Sequence, residues 1–315
     1  MTEKKKVVIA LGGNAIIRKG QKGTVAEEFA NTRASLDGII KVIKHDYNVA
    51  ITHGNGPQAG NMMLRVEAGL SRNVPDRPLG VIVADTEGGM GYMIEQSLQN
   101  RLAKEGIDRD VVTILSQVVV DPQDPQMLHP SKPVGPFYTE EQAKSLMNEK
   151  GWVIVEDAGR GWRRVVPSPV PQTVVEKSVV KRLIEEGVVV ITVGGGGIPV
   201  YYEEDGTLEG VDAVIDKDLA SAVLALEIGA EILVISTGVE KVALGFGTPQ
   251  EKMLDRMTVA ECRQYMEEGH FPKGSMGPKI KAAIDFIEKG GKKVIITLPE
   301  TIEEALEGKT GTIIE

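Results

Sequence analysis

Three lysines occupy settings where an ammonium group is out of place for ordinary surface duty. Lys217 stands between Asp216 and Asp218 in AVIDKDLASAV, at the start of a helix-like stretch. Lys279 follows Pro278 in GSMGPKIKAA, and a proline there suits a first helical turn. The helix macrodipole favours an anion at its N-terminus, so a lysine at either place is an electrostatic misfit. Lys132 is fixed between two prolines in HPSKPVGPF. Cations of this kind suit phosphoryl transfer, where positive charge must meet the transferred group and the leaving oxygen. The ordinary reading of any single lysine is a solvated surface charge, and that of Asp216 is a helix cap.

The second set of chemical residues is glycine. The chain has 36 glycines in 315 residues, above the usual share of about 7%. They gather where strand-like runs end: Gly12-Gly13-Asn14, Gly54-Asn55-Gly56, Gly194–Gly197 and Gly238. In open α/β sheets, ligands bind at the carboxyl ends of strands. Backbone N–H groups in such turns cradle phosphates or carboxylates. One such turn alone is no more than a tight strand–helix connection; four together point to a ligand. A P-loop is excluded, because Glu303 stands where the first glycine before Gly308-Lys309-Thr310 would be. A dinucleotide fingerprint fails too. Pro57 follows Gly56 at once, and the third glycine arrives one place late, at Gly60.

These residues need elements to hold them. Strand-like runs cover 6–11, 47–52, 110–120, 187–193, 231–237 and 292–298. Helix-like runs cover 26–45, 57–68, 87–105, 139–150, 173–186, 217–228, 258–268, 278–289 and 302–307. Several strands are nearly continuous Val and Ile, the mark of a parallel sheet buried on both faces. The alternation predicts a three-layer α/β/α sandwich with a mainly parallel central sheet. Residues 121–171 break the rhythm, holding eight of the 16 prolines and both tryptophans, Trp152 and Trp162. VIVED and WRRVV within it read as paired strands, so this stretch is expected to form a small protruding subdomain, inserted into a single domain spanning 1–315.

Composition narrows the function. A net charge of −9 and 4% aromatic residues argue against a nucleic-acid surface, so phosphate must be gripped locally. The single Cys262 excludes an intrachain disulfide and suits a reducing compartment. It lies in TVAECRQYMEEG, an amphipathic helix pattern, where packing is the expected role. His45, His53, His129 and His270 show no metal-ligand spacing, so no protein metal site is expected. The apolar run 7–11 is too short for a signal-peptide core, and 188–202, broken by four glycines and a proline, is too short to span a bilayer. A soluble cytoplasmic protein without a membrane partner is expected.

The segments ALGGNAI (10–16), THGNGPQ (52–58), SKPVGPF (131–137), VGGGGIPV (193–200), VIDKDLAS (214–221) and GSMGPK (274–279) together resemble the carbamate kinases of the amino acid kinase superfamily, essentially end to end. Many amino acid kinases carry a lysine just before the first glycine pair. Here Ala10-Leu11 precede it, and the resemblance implies that Lys132, on the protruding subdomain, supplies that charge. It implies reversible transfer between ATP and carbamate, giving ADP and carbamoyl phosphate. Lys132, Lys217 and Lys279 would be the catalytic cations, with Asp218 orienting the lysines. Gly12, Gly13, Asn14, Gly54, Asn55 and Gly56 would line the acceptor site. Gly195, Gly196, Asp216, Thr237, Val239, Lys241, Met276 and Gly277 would serve the nucleotide. It further implies an acceptor half (1–186), a nucleotide half (187–315), Mg²⁺ held mainly by the nucleotide phosphates, and a homodimer. Carbamate is already an oxyanion, so no poised histidine is required. Two other readings stand beside this one. One is an amino acid kinase acting on glutamate, acetylglutamate, aspartate or a nucleoside monophosphate. The other is a non-catalytic nucleotide sensor.

Overall fold

In the run KVVIAL neither face is left polar enough for solvent, and the fold buries all six residues as β1 (Lys6–Leu11). The computed structural model describes residues 4–18, 20–157, 161–272 and 274–315. After β1 come α1 (Val25–Lys44), β2 (Asn48–His53), α2 (Gly56–Leu70), α3 (Leu79–Lys104), β3 (Val111–Thr113) and β4 (Gln117–Val120). The next stretch carries α4 (Pro125–Leu128), β5 (Lys132–Tyr138), α5 (Glu140–Lys150), β6 (Ile154–Glu156) and β7 (Trp162–Val166). Then come β8 (Pro171–Val174), α6 (Lys177–Glu185), β9 (Val189–Ile191), β10 (Ile198–Tyr202), β11 (Leu208–Gly210), α7 (Lys217–Glu227) and β12 (Ile232–Ser236). The chain closes with β13 (Val242–Leu244), β14 (Lys252–Leu254), β15 (Arg256–Met257), α8 (Val259–Glu267), α9 (Met276–Glu288), β16 (Lys293–Thr297), α10 (Ile302–Leu306) and β17 (Thr312–Ile314).

Among the described residues the central sheet has eight strands in the order β15-β17-β16-β12-β1-β2-β9-β3. Every pairing is parallel except β16 with β17. Alternate residues of each strand feed opposite cores. Val7, Ile9 and Leu11 pack with α1, α3 and α10, whereas Val8 packs with α6, α7, α8 and α9. The result is the expected α/β/α sandwich. β9 lies between β2 and β3, so the strand that opens 187–315 pairs with strands of 1–186. A second sheet, β11-β10-β4-β8, stands beside the first. β5, β7 and β6 form their own antiparallel sheet within 121–171, where Ile154–Glu156 pairs with Arg164–Trp162.

Three elements depart from the sequence reading. The run 110–120 is two strands, not one. It breaks at Ile114–Ser116, after which β4 leaves the central sheet and pairs with β10 and β8. The helix expected over 173–186 begins only at Lys177, because Pro171–Val174 pairs with β4 as a strand. The helix expected from Glu87 starts at Leu79, directly after Pro78. Its glycines obscured it. Gly91 is required by close approach, since a Cβ there would lie 2.3 Å from Thr113 Cγ2 on β3. Cys262 is fully buried, and burial pushes its thiol up to about 12, in keeping with a packing role.

Candidate active site

The sequence IDKD builds its own helix start. Asp216 Oδ1 accepts from the backbone N–H of Asp218 at 3.0 Å and caps α7, a contact worth about 1 kcal/mol. The cap aims the next two side chains inward at the carboxyl ends of β1 and β2. Ser221, one turn on, secures the same helix: its hydroxyl lies 2.6 Å from Thr52 Oγ1 and ties α7 to β2.

Asp218 is 4% exposed and serves both lysines. Lys217 Nζ bonds Oδ1, and Lys279 Nζ bonds Oδ2 at 2.8 Å. Burial alone would raise the Asp218 carboxyl, but the Lys217 and Lys279 ammoniums outweigh it and hold the group well below the usual range. Burial holds Lys217 below the ordinary lysine value, opposed by Asp218 and reinforced by the like charge of Lys279. Two cations thus share one anion, which leaves a positive surplus for an incoming phosphate. Lys279 reaches the site from the first turn of α9, so the two macrodipole misfits converge on one carboxylate. Lys132, at the start of β5, donates to Asp216 Oδ2 at 2.7 Å and closes the cluster from the β5-β7-β6 sheet.

The glycine turns lie against these groups. A Cβ on Gly54 would lie 3.4 Å from Lys217 Cδ and 3.6 Å from the Gly13 nitrogen, so both turns adjoin the lysine stem. Gly12 backs onto Ser236 at the end of β12, where a Cβ would fall 2.6 Å from the carbonyl oxygen. Gly56 opens α2 and is exposed. Asn14 lies in the short turn 13–15; its side chain lies outside the described residues. Asn55 is buried, donates to Thr86 Oγ1 at 2.9 Å, and packs on Gly195, where a Cβ would fall 2.1 Å from Asn55 Nδ2. Gly196 is walled by the Ile215 carbonyl, directly before Asp216.

A cleft of about 770 Å³ runs between the β5-β7-β6 sheet and the start of α9, lined by Lys132, Arg163, Asp216, Phe271, Gly277 and Lys281 among others. Met276 and Gly277 open α9, and the Gly277 N–H is bonded to the Pro272 carbonyl. Thr237 and Val239 come after β12 and are half-buried. Lys241 lies farther along that loop and donates to Asp255 Oδ1 at 2.6 Å. Lys132, Lys217, Asp218 and Lys279 are therefore brought together with the first three glycine turns, while Lys241 is held by its own partner.

Sequence reasoning missed the layer behind the site. Glu87 and Thr86 on α3, His53 at the end of β2, and Ser116 are all buried. Burial lowers the imidazole of His53 to about 4, and its Nε2 has no hydrogen-bond partner among the described residues. One signal was available. Leu79, Ile82, Val83, Met90, Ile94 and Leu98 form a helical stripe, and Thr86 and Glu87 are two adjacent polar residues set within it.

Residues 5–298 match the model of the amino acid kinase family, and the chain belongs to that family. Carbamate kinases are among the similar proteins. That of Pyrococcus horikoshii is 54% identical, with 98% of each chain covered. That of Thermococcus kodakarensis is also 54% identical, again with 98% of each chain covered. The solved carbamate kinase of Giardia lamblia bound to AMP-PNP is 43% identical, covers 100% of this chain and 99% of its own, and superposes with a TM-score of 0.93.

Proposed function

We propose that this chain is a phosphotransferase that moves a phosphoryl group reversibly between ATP and carbamate, giving ADP and carbamoyl phosphate. The observation that carries the reading is the pair of ammoniums on one buried carboxylate, beneath the Gly12–Gly13 and Gly54–Gly56 turns. Carbamate brings its own anionic oxygen, so the protein has only to position two anions and stabilise the charge between them. Lys217 and Lys279 meet the transferring phosphoryl group, and Asp218 keeps both charged and in place. Lys132 adds charge from the protruding sheet. The turns at Gly12, Gly13, Asn14, Gly54, Asn55 and Gly56 line the acceptor and phosphoryl sites; the Gly54 N–H is held by the Leu11 carbonyl, so the N–H donors come from the other turn residues. The nucleotide takes the cleft side, near Gly195, Gly196, Asp216, Thr237, Val239, Lys241, Met276 and Gly277.

Mg²⁺ stays with the nucleotide in this reading and neutralises its phosphate charge. Asp216 and Asp218, the carboxylates at the centre, are already engaged by Lys132, Lys217 and Lys279. We further propose a homodimer in the cytoplasm. The exposed Val81 and Tyr92 on α3 favour a partner on that helix. ATP formation from ADP and carbamoyl phosphate by the purified protein tests the activity. Lys217→Ala should fold and lose kcat by about 10²–10³-fold; near-normal turnover would remove Lys217 from the chemistry.

A further inference from the structure

The turn 193–197 adopts a conformation that its own sequence resists. Val193 has φ +53° and ψ +38°, the left-handed region, which a β-branched residue enters only under constraint. Gly195, Gly196 and Gly197 continue it at φ +69°, +100° and +83°. Val193 is fully buried, so packing and backbone must be satisfied together.

Two side chains hold this turn from behind. Ser116 Oγ accepts the Val193 N–H at 3.0 Å, and the Ser116 carbonyl accepts the Ile198 N–H at 2.8 Å. Glu87 Oε1 accepts the Gly194 N–H at 2.9 Å, and its Oε2 accepts the Ser116 N–H at 3.3 Å. Glu87 therefore ties the turn to Ser116, its second anchor. There is no slack at the contact. A Cβ on Gly194 would fall 2.4 Å from His53 Nε2 and 2.8 Å from Glu87 Cγ. The preceding residue on α3, Thr86, accepts from Asn55, which packs on Gly195. One turn of α3 thus fixes two of the three glycine turns at the reaction centre.

We propose that Glu87 is a positioning residue for phosphoryl transfer: it clamps the Val193–Gly197 turn against Asn55, and so sets the geometry of the groups facing the substrate. This rests on the phosphotransferase activity proposed above. Burial pushes the Glu87 carboxyl up to about 8, against the pull of the Gly194 and Ser116 N–H groups, so it is largely neutral at pH 7. Glutamine is then a partial stand-in: its carbonyl can keep the Gly194 bond, while its amide nitrogen cannot accept the Ser116 N–H.

The test is steady-state ATP formation from ADP and carbamoyl phosphate by wild type, Glu87→Ala, Glu87→Gln and Ser116→Ala, with a melting curve for each. Absence of wild-type turnover would refute the activity itself, an outcome distinct from any failure of the clamp. With wild type active, Glu87→Ala should lose kcat about 100-fold while the KM for ADP stays within about threefold, because misplacement of about 1 Å costs that much. Glu87→Gln should recover kcat to within about tenfold of wild type, and Ser116→Ala should lose about tenfold. A Glu87→Ala kcat within threefold of wild type would overturn the proposal. So would equal losses in the Ala and Gln variants with KM rising in parallel. If Glu87→Ala does not fold, Glu87→Gln decides: a kcat loss of about threefold or more at unchanged KM supports the clamp, and a kcat within about threefold of wild type, or a KM rising in parallel, overturns it.

Discussion

Replacing Asp218 by Asn keeps the shape of the centre and removes the anion that Lys217 and Lys279 share. Lys217 bonds one carboxylate oxygen and Lys279 the other at 2.8 Å. An amide offers a carbonyl to one ammonium and turns an N–H donor toward the second. The two ammoniums would then face each other at roughly 5 Å, and at an effective dielectric of about 20 their repulsion is about 3 kcal/mol. That is enough to make one lysine shed its proton more readily, and a neutral lysine cannot stabilise the transferring phosphoryl group. Loss of one such cation costs on the order of 10²–10³ in kcat. The sign with pH is fixed, because a lysine is charged below its pKa and neutral above it. Activity of Asp218→Asn should therefore fall as pH rises, and recover partly as pH is lowered. The assay is kcat for ATP formation at saturating ADP and carbamoyl phosphate, from pH 6 to 9, beside wild type and with melting curves. A folded Asp218→Asn protein within fivefold of wild-type kcat would refute the reasoning. So would one whose activity is regained only on raising the pH.

Two further outcomes concern the layer behind the lysines. Gly195→Ala would place a methyl 2.1 Å from Asn55 Nδ2 at a φ of +69°, and should cost about 2–4 kcal/mol of stability as well as turnover; an unchanged melting temperature and kcat would contradict the packing of Asn55 on that turn. The second outcome is set by pH. Glu87 is raised from 4.5 to about 8, so the fold holds a proton that the unfolded chain releases above about 4.5; the stability from this group is full below 4.5 and is lost as pH rises to 8. His53 is lowered from 6.5 to about 4, so its contribution is full above 6.5 and is lost as pH falls to 4. The two oppose each other between 4.5 and 6.5, and of this pair only Glu87 acts from 6.5 to 8, contributing a decline on the order of 1 kcal/mol per pH unit. Denaturant titrations at pH 6.5 and 8 should show that decline in wild type and its absence in Glu87→Gln; equal declines in both would refute it.

The parts of the fold legible in the sequence are those with a local cause. β1 and the helices built on IDKD and PKIKAA stand within a residue or two of where periodicity and capping put them, because each is fixed nearby: by an apolar run, an aspartate cap, a proline in the first turn. The site lysines were legible for the opposite reason, since a cation at a helix start contradicts local electrostatics and needs a partner elsewhere. That partner, Asp218, also lay in the same short segment. The split at Ile114–Ser116 and the strand at Pro171–Val174 were not legible. Which sheet a short β-branched run joins depends on β10, which is distant in sequence. The role of Ser116 was hidden with that split, because Ser116 lies in the gap between the two strands.

The same logic explains where the chemistry sits in an acidic protein. A net charge of −9 repels anions in general, yet two anionic substrates must enter. The answer in this fold is local. Three lysines are drawn from three elements, α7, α9 and β5, onto two neighbouring aspartates of one segment. Because Asp216 also caps α7, the helix start and the charge cluster are one construction. Because Gly196 packs on the carbonyl before Asp216, and Gly195 on Asn55, the glycine turn behind the site touches both the lysine-bearing segment and the Gly54–Gly56 turn. A change in any of these contacts therefore moves cations and N–H donors together. Single substitutions here should act non-additively, with double variants of Glu87 and Asp218 losing less than the product of their separate losses.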